Sequence, residues 1–382
     1  MRVTNRVTNT AMNRKYTTGV NDVHGRLNKA MNRVSSGKAY ENAAENPLAY
    51  YQGKKLDNQY QDVESKLELI SDLEKRLEEQ EGGAYAIQNQ LAEAQKKVVY
   101  ITSDSNNGEH TVATVREDFV QRAQFMVNEL NSQYRDYYVF GGCDVTTTPF
   151  ELSIETNQSV TLTYNHTFPG TTTVETMKLT WTLNGDKLEM NEGTAGDLDK
   201  IINAMQEQGR VDIGYGLISD RNTLMDTYTG GMNVLAGLSS DAVVAGMKGA
   251  NPADMKQKVF DQLKESPIGL LAEGILRCDD RMNGGDAGTF SNGMNALINT
   301  MSDTHTRIGI VYSDLGNKYS LLEDMESKLK KQHQSLEAQY KDKLGADPYE
   351  AIMDMFSEQY SYSACLQLGS RMMQSSLFDF IR

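Results

Sequence analysis

Cysteine is scarce in this chain: three residues, Cys143, Cys278 and Cys365, an odd number set far apart in 382 positions. That excludes a disulfide framework, and the thiols read as buried or half-buried free groups. Proline is scarce too, six in all, with Pro47 alone in the first 145 residues, so long uninterrupted helices are allowed. No run of 18 apolar residues exists, which excludes a spanning helix. The start, Met1 to Tyr16, is polar, with Arg2, Arg6, Arg14 and Lys15 scattered through it. It lacks the apolar region of a signal peptide, so export would not follow the general secretory route. Basic charge is in deficit: 38 Lys and Arg against 52 Asp and Glu give −14. Nucleic-acid binding needs basic patches, and this balance argues against it.

Catalytic groupings are also missing. The five histidines, His24, His110, His166, His305 and His333, show no metal-ligand spacing and no H-E-x-x-H. Gly214-Tyr215-Gly216 opens like a dinucleotide loop, but Ser219 stands where a third glycine belongs. Asp279 to Phe290 has the glycine of a calcium loop at Gly284, with Arg281 and Phe290 at ligand positions, which rules the loop out. Glu78-Glu79 and Glu81 read as a solvated helix face. The chain therefore reads as a non-enzyme with no cofactor and no metal.

What the chain has is helix. Val20, Val23, Leu27, Ala30 and Val34 repeat at three and four, until Ser35-Ser36-Gly37 breaks the pattern. Asn46-Pro47 opens a second helix, with Leu56, Tyr60, Val63, Leu67, Ile70 and Leu77 on one face. Gly82-Gly83 predicts a kink, after which Ala84, Ile87, Leu91, Ala94, Val98 and Ile101 resume the stripe. A third helix carries Val112, Val115, Phe119, Met126 and Leu130 and ends at the aromatic run Tyr137 to Phe140, closed by Gly141-Gly142. Near Gly142 the period changes to two, with threonine enriched: Val160, Leu162, Tyr164, then Leu179, Trp181, Leu183. These are strands, and Asn184-Gly185-Asp186 is a hairpin turn. Residues 197–208 read as a helix and Val211 to Ile218 as a short, glycine-punctuated stretch.

Helical spacing returns near Pro252. Ser266-Pro267 caps a helix carrying Leu271, Ile275, Cys278 and Met282. Phe290, Met294, Leu297 and Met301 lead into Ile308, Leu315, Leu322, Leu329 and Leu336, a heptad repeat that reads as an intramolecular bundle core. Asp347-Pro348-Tyr349-Glu350 starts a last helix, expected to bury Ile352, Phe356, Leu366, Met373 and Leu377. The fold class is thus mainly α. N- and C-terminal segments form a long antiparallel helical bundle or coiled coil, and a central β-rich α+β insert interrupts it. The expected domains are 1–40 with 345–382, 41–145 with 251–344, and the insert 146–250.

Both ends carry apolar stripes to their last residues, whereas the ends of ordinary domains fray. Val3, Val7, Leu377, Phe378, Phe380 and Ile381 have too few neighbours in one chain to be buried, so contact between subunits is expected there. Leu27, Val34, Leu366 and Met373 extend the same set of assembly candidates. The pattern describes a building block.

Particular motifs then resemble a known family. The start Met1-Arg2-Val3-Thr4-Asn5 and the stretch Leu27 to Asn46, LNKAMNRVSSGKAYENAAEN, resemble the bacterial flagellin superfamily. Tyr138-Val139-Phe140-Gly141-Gly142, the return segment Thr306-Arg307-Ile308-Gly309 with Asn317 to Glu323, and the closing SLFDFIR resemble its hook-associated, FlgL-type branch. The resemblance covers about 1–145 and 255–382. It implies a hook–filament junction subunit that self-associates into a ring or tube. Its neighbours would be another hook-associated protein on the hook side and flagellin, or a second hook-associated protein, on the filament side. It further implies an extracellular, flagellar location reached through the flagellar channel with an export chaperone, and no nucleic-acid or membrane partner. A filament flagellin, or an adhesin module displayed on a flagellin-like anchor, are the alternatives.

Overall fold

The computed structural model describes the backbone of residues 2–40, 42–103, 108–156, 158–212, 224–226, 229–249 and 251–380, and the side chains of 11–40, 42–103, 108–156, 158–209, 226, 229–249 and 251–371. The order is α1 (Arg2–Ser36), α2 (Pro47–Ile101), α3 (Glu109–Leu130), β1 (Gln133–Tyr134), β2 (Tyr137–Tyr138), β3 (Phe150–Glu155), β4 (Ser159–His166), β5 (Glu175–Asn184), β6 (Lys187–Glu192), α4 (Asp197–Met205), β7 (Arg210–Asp212), β8 (Leu224–Asp226), α5 (Gly231–Ala236), α6 (Ser240–Met247), α7 (Pro252–Lys264), α8 (Pro267–Met282), α9 (Ala287–Leu344) and α10 (Pro348–Phe380). The mainly α architecture with a central β region matches the expectation. The Gly214 to Ser219 loop lies outside the described residues.

Two compact units divide the chain: Met1–Leu67 with Lys328–Arg382, and Glu68–Ser327. In the second unit the three-and-four spacing of the sequence becomes a core. Ala84, Ile87, Leu91, Ala94, Val98 and Ile101 are all fully buried, as are Val112 and Phe119 on α3 and Ile308, Leu315 and Leu322 on α9. Two side-chain amides lock α2 to the α9 backbone: Gln88 donates to the carbonyl of His305 at 3.1 Å and Gln95 to that of Ile298 at 2.9 Å. Buried Gln80 donates to the carbonyls of Val139 and Thr229. α2 is helical through Gly82-Gly83. A Cβ on Gly83 would lie 2.7 Å from the Phe140 ring, so the glycine there admits an aromatic neighbour.

β3 to β6 form an antiparallel meander in sequence order. Leu183 pairs with Leu188 and Asn184 with Lys187, so Gly185-Asp186 is the two-residue turn of the hairpin. Alternation puts Val160, Leu162, Tyr164, Met177, Leu179, Trp181, Leu188 and Met190 on the buried face. That face packs on α8. The Trp181 indole donates to the carbonyl of Lys264 at 3.2 Å, and buried Arg277 donates to the Asp186 carbonyl at 2.9 Å and to Glu273 Oε1 at 2.7 Å. Ser266 caps α8 as its sequence predicts, accepting the Gly269 N–H at 3.2 Å. Arg116 on α3 pairs with buried Asp279 on α8, the residue that opened the discarded calcium loop. The sheet, α3 and α8 thus share one core.

Asp144 organises the entry to β3. Its Oδ1 accepts the N–H groups of Thr146 and Thr147 at 3.1 and 3.2 Å, and its Oδ2 that of Thr167 at 2.8 Å. Burial alone would raise its pKa; the hydrogen bonds outweigh it and hold the carboxyl at about 2, below the usual 3.8. A group depressed on folding stabilises above its unfolded pKa, and that stability is lost as pH falls through the folded one. Stability to urea should therefore fall between about pH 4 and pH 2 in part through Asp144. Asp144→Asn turns an acceptor into an N–H₂ facing the Thr167 donor, and should cost about 1–3 kcal/mol at neutral pH while flattening that acid slope.

Candidate assembly surface at the paired termini

In the first unit α1 and α10 run antiparallel, their contacts stepping up one helix as they step down the other. The Tyr16 hydroxyl donates to the Cys365 carbonyl at 3.1 Å, the His24 and Tyr362 rings are 5.4 Å apart, Arg26 Nε is 3.1 Å from Glu358 Oε1, and Arg33 Nη1 is 3.7 Å from Asp354 Oδ2. The hinge end is closed by backbone pairing: Ala39 N–H donates to the Leu344 carbonyl at 2.7 Å and Ala346 N–H to that of Gly37 at 2.9 Å, around a Lys38–Gly345 bridge. Small residues permit the approach. A Cβ on Gly369 would lie 1.9 Å from the Tyr16 oxygen, so only glycine lets that ring reach the α10 backbone.

The face of α10 turned to α1 is thus built from Ala351, Glu358, Tyr362, Cys365 and Gly369. The opposite face carries the large apolar groups. Tyr349, Met353, Phe356 and Tyr360 are 84, 65, 58 and 78 % exposed. At 3.6 residues per turn these four fall within an arc of about 60°. Ile352 flanks them, and Met12, Met31, Leu48 and Tyr51 are exposed elsewhere in the same unit. The exposed side of α10 is thus a contiguous apolar face that nothing in the described chain covers.

This corrects the expected core of the last helix. Ile352, Phe356 and Leu366 are exposed, and Ala351 and Gly369 are buried in their place. On α1, Val23 and Ala30 are buried, Leu27 is half-buried, and Val34, at the end of the stripe, is exposed. The side chains of Val3, Val7, Met373, Leu377, Phe378 and Phe380, and all of Ile381, lie outside the described residues. Tyr349, Met353 and Tyr360 were missed, although their spacing of four, three and four with Phe356 was readable. α10 carries two overlapping stripes, and spacing does not say which one meets α1.

Elsewhere, the half-buried Cys143 thiol is pushed up to about 12 by burial and the Glu207 carboxylate, and burial pushes Cys278 up further, so both are thiols at neutral pH. No group of three or more potential metal ligands occurs among the described residues, nor any helix long and apolar enough to cross a membrane.

The fold defines a class: mainly helical proteins whose first and last helices pair antiparallel and leave an apolar face of the last helix exposed. Residues 7–140, from α1 through β2, match the model of the bacterial flagellin N-terminal helical region. Two solved structures are similar at low identity. A putative flagellar hook-associated protein from Vibrio parahaemolyticus has a TM-score of 0.47 at 12 % identity, over 79 % of this chain and all of that one. FlgL of Bacillus cereus has a TM-score of 0.38 at 12 % identity, over 77 % of this chain and all of that one. Comparison with curated proteins finds no match.

Proposed function

We propose that the protein is a non-enzymatic structural subunit of the bacterial flagellum that joins hook to filament, exported through the flagellar channel and working outside the cell. The observation that carries this reading is the inverted α10, which buries Ala351 and Gly369 against α1 and leaves Tyr349, Met353, Phe356 and Tyr360 uncovered. The flagellin-type region at 7–140 supports the flagellar assignment. The resemblance of Tyr138 to Gly142 and of the closing residues to the hook-associated branch favours a junction subunit over a filament subunit. In this reading the terminal residues Val3, Val7, Leu27, Val34, Leu366, Met373, Leu377, Phe378, Phe380 and Ile381 belong with the exposed α10 face to the contact between subunits. Its partners are further copies, a hook-side protein, a filament-side protein and an export chaperone.

Purified protein added to isolated hooks tests this. A bounded layer on the hook tip, visible by electron microscopy and able to nucleate flagellin, is the expected result. Long filaments grown from this protein alone would make it a filament subunit instead, and no binding to hooks would overturn the proposal.

A further inference from the structure

β3 is an edge strand: the sheet runs β3-β4-β5-β6, and among the described residues no strand pairs with β3 on its outer side. Its register shows which backbone groups face outward. The Asn165 N–H donates to the Pro149 carbonyl at 2.8 Å, and Glu151, Ser153 and Glu155 stand opposite Thr163, Thr161 and Ser159. By alternation, residues 149, 151, 153 and 155 bond to β4, and the N–H and C=O groups of Phe150, Leu152 and Ile154 point away from it. The first of these three is already occupied. The Asn131 side chain donates to the Phe150 carbonyl at 2.8 Å and accepts the Phe150 N–H at 3.0 Å. Those are the two bonds that a residue of an antiparallel neighbour would exchange with it. Leu152 and Ile154 continue the same edge, with two donors, two acceptors and no strand beside them.

The side chains say what kind of strand fits. Leu152 and Ile154 share the face of buried Phe150 but are only half-buried, and Glu151, Ser153 and Glu155 are exposed on the other face. Across the ladder the two glutamates meet Thr163 and Ser159, so β4 offers neither a cation. We propose that this edge accepts an extended segment of another protein, in which basic side chains on the solvent face alternate with apolar ones on the inner face. Valine or isoleucine opposite Leu152 and Ile154 would cover the inner face there, and lysine or arginine opposite Glu151 and Glu155 would meet the carboxylates. The same glutamates argue against a second copy joining edge to edge, because β3 beside β3 sets like charges side by side. The Asn131 amide fixes the register, since an incoming strand pairs from Leu152 onward. This docking is independent of the flagellar reading, and a different measurement decides it.

The test uses the full chain and a capped peptide, Lys-Val-Lys-Val-Lys. Binding is followed by hydrogen exchange of the 150–155 segment at about 0.02 M and about 0.5 M salt, between which the screening length shrinks several-fold. In the free protein the Leu152 and Ile154 amides should exchange fast, and those of Glu151 and Ser153, bonded to β4, slowly. The peptide should slow the first two, less so at high salt. Methylating its two valine nitrogens should abolish the effect. Ile154→Pro removes one outward N–H and no bond to β4, so it should abolish the effect as well. If that variant unfolds, the methylated peptide on the parent protein makes the same test. Glu151→Gln with Glu155→Gln should weaken binding about tenfold at low salt. The acidic peptide Glu-Val-Glu-Val-Glu should leave exchange unchanged. Equal protection by the acidic peptide would overturn the basic partner. No protection by the lysine peptide, or protection that survives methylation, would overturn the edge as the docking site. If the two amides are already slow in the free protein and quicken on dilution, a second copy holds the edge and the proposal fails.

Discussion

The double variant Phe356→Ser with Tyr360→Ser is expected to melt within about 2 °C of the parent and to fail to assemble. Both rings are exposed and turned away from α1, so their loss removes no contact to α1. Surface substitutions of this kind stay within about 0.5 kcal/mol, and serine is close to tyrosine and phenylalanine in helix propensity. Between subunits the same rings would be anchors. Aromatic residues at the centre of an interface often carry about 2 kcal/mol or more each, so removing two should weaken each contact by three orders of magnitude or so. Thermal melting of the monomer and binding to hook tips are the two measurements. A fall of about 3 kcal/mol or more in monomer stability would place the rings in an internal core. A stable variant that still coats hooks normally would show that this face of α10 serves some other purpose.

Trp181→Ala should be the most damaging single change in the unit spanning Glu68–Ser327. The indole is fully buried, and its Nε1 donates to the carbonyl of Lys264 just before α8 begins. Deleting a buried Trp or Phe costs about 3–5 kcal/mol, a large share of the roughly 5–15 kcal/mol that holds a typical domain together. The orphaned Lys264 carbonyl adds to the penalty. Trp181→Phe keeps most of the volume and loses the hydrogen bond, so it should cost far less. Urea unfolding followed by circular dichroism would rank the two. Near-equal effects would mean that the hydrogen bond, and not the packing, ties the sheet to α8. For the same reason, deleting 146–250 should leave α8 with an uncovered apolar face and a chain that melts earlier or aggregates.

Local spacing determined most of the helices. Proline and asparagine at 46–47, serine and proline at 266–267, and aspartate and proline at 347–348 mark starts that the structure repeats, because capping and a preset φ act within one turn. The heptad from Ile308 to Leu336 is buried throughout, since five leucine-class residues on one face leave no second candidate face. The β meander was legible for a similar reason: a period of two with a glycine turn has one register that keeps its apolar side together.

What tertiary structure alone decided is which side of an ambiguous helix faces in. α10 has enough apolar residues for two stripes, and apolar count favours Phe356 and Ile352 as core. Packing reverses that choice, because Tyr16 reaches the Cys365 carbonyl, and at that point only a glycine, Gly369, fits so close an approach. The union of the sheet with α3 and α8 was equally invisible. The contacts of Trp181 with Lys264 and of Arg277 with Asp186 span 83 and 91 positions, and no local pattern encodes partners so far apart. Periodicity identified the apolar residues, and the fit between whole surfaces determined which of them are left for another molecule.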